Sequence, residues 1–247
     1  MKNMISADIE RILRKKSFWI VFILPCIMAL FYALISAGER GGSFYYAVLE
    51  TDHFSPIGNM MFGLSIFLGV YADEFRSKSM QAMIGRGISR TKIVLVKFID
   101  SVLLTVLIYG IFSLLLFVMA LIFHGGIGAL EAKAMYLQIA LFGVKALGFS
   151  TIATVFIFLT GNVPVAMIVN VLLYISGSLL KSIAAFNDEL MRVHPERYLF
   201  DGIIDRIYGD LILSLSPSPL WLILAAAYIC GAICLSVLIF RSKELEF

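Results

Sequence analysis

Hydrophobic and polar positions alternate along this chain in long blocks rather than single residues. Five stretches carry no acid or base: 17–38, 54–72, 101–128, 146–180 and 211–240. A helix needs about 20 apolar residues to cross roughly 30 Å of hydrocarbon, so each of the first three blocks holds one span. The fourth region, from about Met135, is long enough for two, and "LTGNVPV" (Leu159 to Val165) interrupts it. Gly161 and Asn162 favour a turn and Pro164 suits the first turn of a new helix, so one span ends near Thr160 and the next starts near Val163. The pattern predicts six transmembrane helices, near 18–37, 54–72, 101–123, 136–160, 163–180 and 219–240.

Composition agrees with this reading. The chain has 247 residues, 60% of them apolar, with 20 Phe, and its mean hydropathy is +0.94. Soluble domains hold about 45–50% apolar residues, so the class is an all-α integral membrane protein built as one membrane domain over 1–247. Basic residues set the orientation, because Lys and Arg are retained on the cytoplasmic side. The N-terminal segment has five (Lys2, Arg11, Arg14, Lys15, Lys16), the stretch 73–98 six (Arg76, Lys78, Arg86, Arg90, Lys92, Lys97) and the C-terminus two (Arg241, Lys243). The opposite loops hold six over longer segments that also carry many acids: Arg40, Lys133, Lys181, Arg192, Arg197 and Arg206. Both termini are therefore expected in the cytoplasm, as an even number of spans requires.

The first apolar run is longer than the 7–15 residues of a signal peptide, and "LISAGE" is a poor cleavage site, so it is expected to remain as an anchor. Cys26, Cys230 and Cys234 fall within predicted spans, where thiols behave as small apolar groups. In "MKNMISADIERILRKKSF", Met4, Ile5, Ile9, Ile12 and Leu13 recur near a 3.6-residue period, acids come early and bases late. Residues 1–16 thus read as an amphipathic helix on the inner membrane surface, leading into the first span.

The stretch "DEFRSKSMQAMIGRGISRTKIVLVKF" (Asp73 to Phe98) is the one long basic segment inside the chain. Met80, Met83 and Ile84 lie at i, i+3 and i+4 on one edge of a short helix, Gly85 and Gly87 end it, and Ser89 caps the next. A loop needing only positive charge would not carry a stop, a cap and an apolar edge.

This order of residues resembles the permease subunits of type-2 ABC exporters: Glu74 at the end of a span, a short helix, a break, then Ser89-Arg90 and Lys97 before the next span. The likeness extends to the surface helix, the six spans and the long outer segment. Ser77 or Ser79 stands where that family usually has Gly. Gly87 stands where it has Pro, implying a more flexible break. The resemblance implies that 73–98 holds a coupling helix gripped by a cytoplasmic ATPase, with Glu74, Arg76, Met80, Met83, Ile84, Arg90 and Lys97 as coupling residues. Glu74 and Arg90 would brace the loop by charge pairing, and Met80, Met83 and Ile84 would touch the ATPase. No GxxxxGK[ST] phosphate loop is present, so the chain itself is not an enzyme; ATP and Mg would be bound by the partner. The implied assembly is two permeases, identical or similar, with two ATPase subunits in a bacterial cytoplasmic membrane, and it has no role for nucleic acid.

The outer segment 181–218 combines several acids with the apolar "LILSLSPSPLW". It reads as a short external helix followed by a half-membrane hairpin that turns near Pro217 and Pro219. In the resembled family such a hairpin closes an outer gate, here through Leu211, Leu213 and Leu215. Lys145 lies well inside the fourth predicted span, where a charge costs about 2.5–3.5 kcal/mol. It either lines a cargo path and attracts an anionic group, or snorkels outward. Asn170, midway along the fifth span, either bonds a neighbouring helix or lies on the same path. His53, His124 and His194 are scattered over outer loops, and no pattern for hydrolysis is present.

For the cargo, the resemblance points to an amphipathic peptide, as for lantibiotic self-protection and cytolytic-peptide exporters. A drug or lipid exporter of the same family is the alternative. An ion-coupled carrier would be expected to bear paired acids inside its spans, and a membrane scaffold or sensor without transport is the third class; co-purification with an ATPase and vanadate-sensitive hydrolysis separates the exporter from both.

Overall fold

A computed structural model describes residues 2–37, 54–77, 79–124, 128–184, 186, 194–213 and 217–242. Among them no strand occurs. The order is α1 (Lys2–Leu13), α2 (Lys16–Ala37), α3 (Phe54–Phe67), a π-helical turn (Leu68–Ala72), α4 (Asp73–Arg76), α5 (Ser79–Gly85), α6 (Arg90–His124), α7 (Ala129–Thr160), α8 (Val163–Ala184), a 3-10 turn (Pro195–Tyr198), α9 (Phe200–Leu213) and α10 (Pro219–Ser242). Among the described residues, four helices are long and apolar enough to cross a membrane: α6, α7, α8 and α10. α2 contributes a shorter apolar stretch, Lys16–Phe31.

Local chemistry accounts for the boundaries. α7 ends because Gly161 turns left-handed at φ 71° and returns its N–H to the Ile157 carbonyl at 2.8 Å. The Thr160 hydroxyl donates to the Phe156 carbonyl at 2.8 Å and accepts from the Asn162 N–H at 3.1 Å, so the free groups at this helix end find partners. α8 then starts at Val163 with Pro164 in its first turn, where the missing N–H costs nothing. The helix that Ser89 caps runs straight on into the third span. α6 runs unbroken for 35 residues, about 52 Å at 1.5 Å per residue, so the basic residues from Arg90 to Lys97 ride on the end of a single rod.

α7 is the hub, packed against α3, α6, α8, α9 and α10. Its apolar stretch is 67% buried, against 17% for α10. Aromatic contacts fill the space beside it: Phe62 stands edge-on to Phe112 at 4.9 Å and to Tyr109 at 5.5 Å. The Tyr109 hydroxyl donates to Asn59 Oδ1, which pairs both groups inside an otherwise apolar core.

α1 does not merely lie on a surface. Ile12 is fully buried, and α1 packs on α6, α2 and the π-helical turn. The Trp19 indole fixes the bend into α2 by donating to the Leu13 carbonyl at 2.7 Å.

At the opposite end from α1, α9 buries Phe200, Ile203, Ile204 and Ile207 against Phe149, Tyr174 and Ala225. Two glycines make this docking possible. A Cβ at Gly148 would overlap the Phe200 ring, and one at Gly177 would overlap the Asp201 carboxylate. The outer segment thus contains a 14-residue helix seated on the bundle, and the apolar limb expected after it begins as that helix's last turn. The Asp210 carboxylate accepts the Ser218 N–H at 3.1 Å and so reaches the start of α10. Of the expected hairpin, residues 214–216 lie outside the described ones, Pro217 and Ser218 are non-helical, and Pro219 opens α10.

Candidate functional site

The basic stretch after α3 folds as a hook. α3 does not stop at Ala72; it passes through the π-helical turn and continues as α4, which carries Asp73 and Glu74. α5 then runs to Gly85, and the chain reverses at Gly87, whose φ is +83°. The reversal is a hydrogen-bonded Schellman turn: Ile88 N–H reaches the Met83 carbonyl at 3.2 Å and Gly87 N–H the Ile84 carbonyl at 2.9 Å. The left-handed φ explains why Gly occupies this place, since Pro is locked near −65°. A more flexible break was expected from that Gly, yet the turn has its own hydrogen bonds. Ser89 caps α6, its hydroxyl accepting the Lys92 N–H at 3.4 Å.

The root of the hook is a buried charge cluster. Lys97 on α6 is fully buried, with Asp8 of α1 at 2.6 Å, Asp100 of α6 at 3.5 Å, and Glu74 of α4 in close contact. Arg11 of α1 closes the group, 2.9 Å from Glu74 and 3.5 Å from Asp8. Lys15 pairs with Asp73 beside it. Burial raises the Glu74 pKa above the ordinary range, and the neighbouring Lys97 and Arg11 pull it back only in part. The ionised carboxylate is therefore the costly form at this place, and its two cations are what make it tolerable.

Several expected roles move. Glu74 is braced by Lys97 and Arg11, not by Arg90. Arg90 instead donates to the Phe240 and Arg241 carbonyls, at 2.9 and 3.0 Å, and lies over the Phe240 ring at 5.8 Å. Those carbonyls belong to the C-terminal end of α10, which has free acceptors and a negative dipole end. Met80 is buried, and Met83 and Ile84 pack against the same core, so this apolar edge faces the protein's own interior. Among the described residues of the hook before α6, Ser77, Ala82, Gly85, Arg86, Gly87 and Ser89 are exposed, most of them around the turn. The side chain of Arg76 lies outside the described residues.

Lys145 turns towards a protein partner rather than outward. It forms an ion pair with Asp201 of α9, each side chain largely buried. The pair joins α7 to α9 at the place Gly177 leaves open. Asn170 is fully buried on α8, and neither of its amide atoms has a hydrogen-bond partner among the described residues, so the expected bond to a neighbouring helix is not seen there. Leu211 is half-buried beside the α9 core, while the side chain of Leu213 and all of Leu215 lie outside the described residues.

Asp8, Arg11, Asp100 and Asp201 were given no site role by sequence reasoning. One signal was available: Asp8 and Arg11, and likewise Lys97 and Asp100, are three apart, so each pair shares a helix face. What joins the two pairs is a contact between residues 89 apart in sequence.

What this arrangement defines is a helical membrane protein with a rigid polar hook rooted by charge in its bundle. Comparison with known families and with characterised proteins yields no match.

Proposed function

We propose that this chain is the membrane-spanning subunit of an ATP-driven exporter similar to the type-2 ABC permeases, with the hook as the element that a separate cytoplasmic ATPase moves. In this reading α2 and the helix through 54–72 cross the membrane with α6, α7, α8 and α10, giving six spans. Both termini lie in the cytoplasm of a bacterial cell, and two permease copies work with two ATPase subunits.

The observation that carries the reading is the buried clamp on Glu74. A loop gripped at its root by Lys97 and Arg11 passes a push to α6 and α1 instead of absorbing it. α6 extends that push along about 52 Å of continuous helix, and Arg90 links the same end to α10. The ATPase would seat on the exposed tip, Ala82 to Gly87. At the other end α9, latched by Lys145 and Asp201, would serve as the outer gate. Movement between the two ends is then a shift between two packings of one bundle, driven by ATP bound elsewhere. An amphipathic peptide is the proposed cargo, with a drug or lipid as the alternative within the same scheme.

The test is transport with its partner present. The chain should co-purify with an ABC ATPase and confer vanadate-sensitive hydrolysis. Glu74→Ala and Arg90→Ala should abolish export while hydrolysis persists. Full export by both variants would overturn the assignment. An ion-coupled carrier would keep its acids near the bilayer midplane, whereas the described cluster sits at the base of the bundle; absence of any ATPase partner would turn the reading towards that class.

A further inference from the structure

α3, the π-helical turn and α4 form one continuous helix, because Phe67 and Asp73 on either side of the turn both keep right-handed helical dihedrals. The turn is five residues long, Leu68–Ala72. A π-turn bonds i to i+5 where an α-helix bonds i to i+4, so a single such turn stores one residue more than an α-helix would use over the same path. Everything beyond Ala72 is set back by one position. Glu74 occupies the place that residue 73 would hold in an unbroken α-helix, and Phe75 occupies that of residue 74.

The residue one position earlier is also an acid. In the present register Glu74 meets Lys97 and Arg11, while Asp73 pairs with Lys15. Rewinding the turn as α-helix would rotate α4 by about 100° and advance it by about 1.5 Å. That movement brings Asp73 to the clamp in place of Glu74, with a side chain one methylene shorter. The Lys15 pair it gives up is partly exposed and cheap to break. Although four of the five residues of the turn are buried, two features leave it free to rewind. Gly69 has no side chain to swing past Ile12, whose Cγ2 would lie 3.1 Å from a Cβ there, and a cleft of about 190 Å³ opens beside Lys15, Leu68, Ala72 and Asp73. What favours the present register is Phe75, which stands edge-on to Phe158 at 5.6 Å; rewinding puts Glu74 against that ring instead.

We propose that the π-helical turn is a one-residue register switch: a pull on the hook of about 1.5 Å rewinds it as α-helix and exchanges Glu74 for Asp73 between Lys97 and Arg11. The root of the hook is then clamped by a carboxylate in both positions, which gives the adjacent acids Asp73 and Glu74 a joint purpose. The exporter reading supplies one source of the pull, but the exchange is a property of this chain alone. Measured without any partner, it is tested separately from that reading.

Cysteine cross-linking of the full chain in nanodiscs, with Cys26, Cys230 and Cys234 replaced by Ala, reads the register. Phe75→Cys with Phe158→Cys should cross-link through a short bis-thiol reagent, since those side chains face each other. Glu74→Cys with Phe158→Cys should cross-link too: loss of Glu74 leaves Asp73 to fill the clamp, and in that register residue 74 faces Phe158. Adding Asp73→Asn removes the acid that takes over, so the 74–158 yield should fall several-fold. Deleting Leu68, the one residue of the turn that is not buried, removes the stored residue; the shortened chain should keep the 75–158 link and lose the 74–158 link. No 74–158 link at native length, or one that Asp73→Asn leaves at full yield, overturns the proposal. So does a folded deletion variant that keeps the 74–158 link or loses the 75–158 link. The Asp73→Asn comparison uses chains of native length and decides the matter even where the shortened chain does not fold.

Discussion

Replacing Lys97 by Met is the most informative single perturbation of this molecule. The side chain lies 2.6 Å from Asp8 and in contact with Glu74, and it is 0% exposed. Met is unbranched and only one atom shorter, so it removes the charge and its N–H donors while keeping most of the volume. Glu74 would keep Arg11 at 2.9 Å, but Asp8 and Asp100 would lose their nearest buried cation. Leaving a buried charge uncompensated costs about 3–5 kcal/mol, far more than the net worth of an exposed pair. The double variant Lys97→Met with Glu74→Gln removes the acid as well, so it should recover part of that loss, with a coupling of about 0.5–3 kcal/mol between the two sites. Unfolding of the purified protein in mixed micelles by increasing denaturing detergent measures both. A Lys97→Met cost below about 1 kcal/mol, the range of exposed ion pairs, would refute the claim that this cluster is a buried clamp. Strict additivity of the two substitutions would refute the claim that Lys97 and Glu74 are partners.

Three further outcomes are expected. Gly87→Ala forces a side chain into the left-handed region at a cost of about 1–2 kcal/mol, so limited proteolysis should cut the hook of the variant faster than that of the native chain while the bundle remains intact. Lys145→Met should destabilise the protein more than the double variant Lys145→Met with Asp201→Asn, because the single change strands Asp201 against Gly177; equal losses in detergent unfolding would mean the pair does not latch α9. Gly148→Leu puts a side chain where the Phe200 ring sits, so a cysteine at buried Ile203 should become reactive to a water-soluble maleimide, and unchanged protection would show that α9 docks by other means.

The hook shows how far sequence reaches. Its stop at Gly87 and its cap at Ser89 follow from backbone chemistry acting over a few residues, and both can be read directly from the letters. The apolar edge Met80, Met83 and Ile84 is legible too, but not the direction it faces. Periodicity reveals that a helix has an apolar side, while only packing decides whether that side meets a partner or the chain's own core. The bracing of Glu74 is hidden for the same reason: opposite charges on a helical protein have many possible partners, and Arg90, the partner the motif suggests, is not the one that meets it in space.

By itself, then, the sequence determined that this protein is helical and built for a membrane, where its apolar blocks lie, and where the chain breaks at Gly161 and Gly87. Those properties depend on hydrophobic length and on local dihedral preference, which act within a turn or two. Tertiary structure alone decided that α1 folds beneath the bundle to meet Lys97, that Lys145 is answered by Asp201, and that α9 seats in the clefts at Gly148 and Gly177. Each of these requires side chains distant in sequence to come within a few ångströms, and buried charge pays for itself only when that meeting occurs.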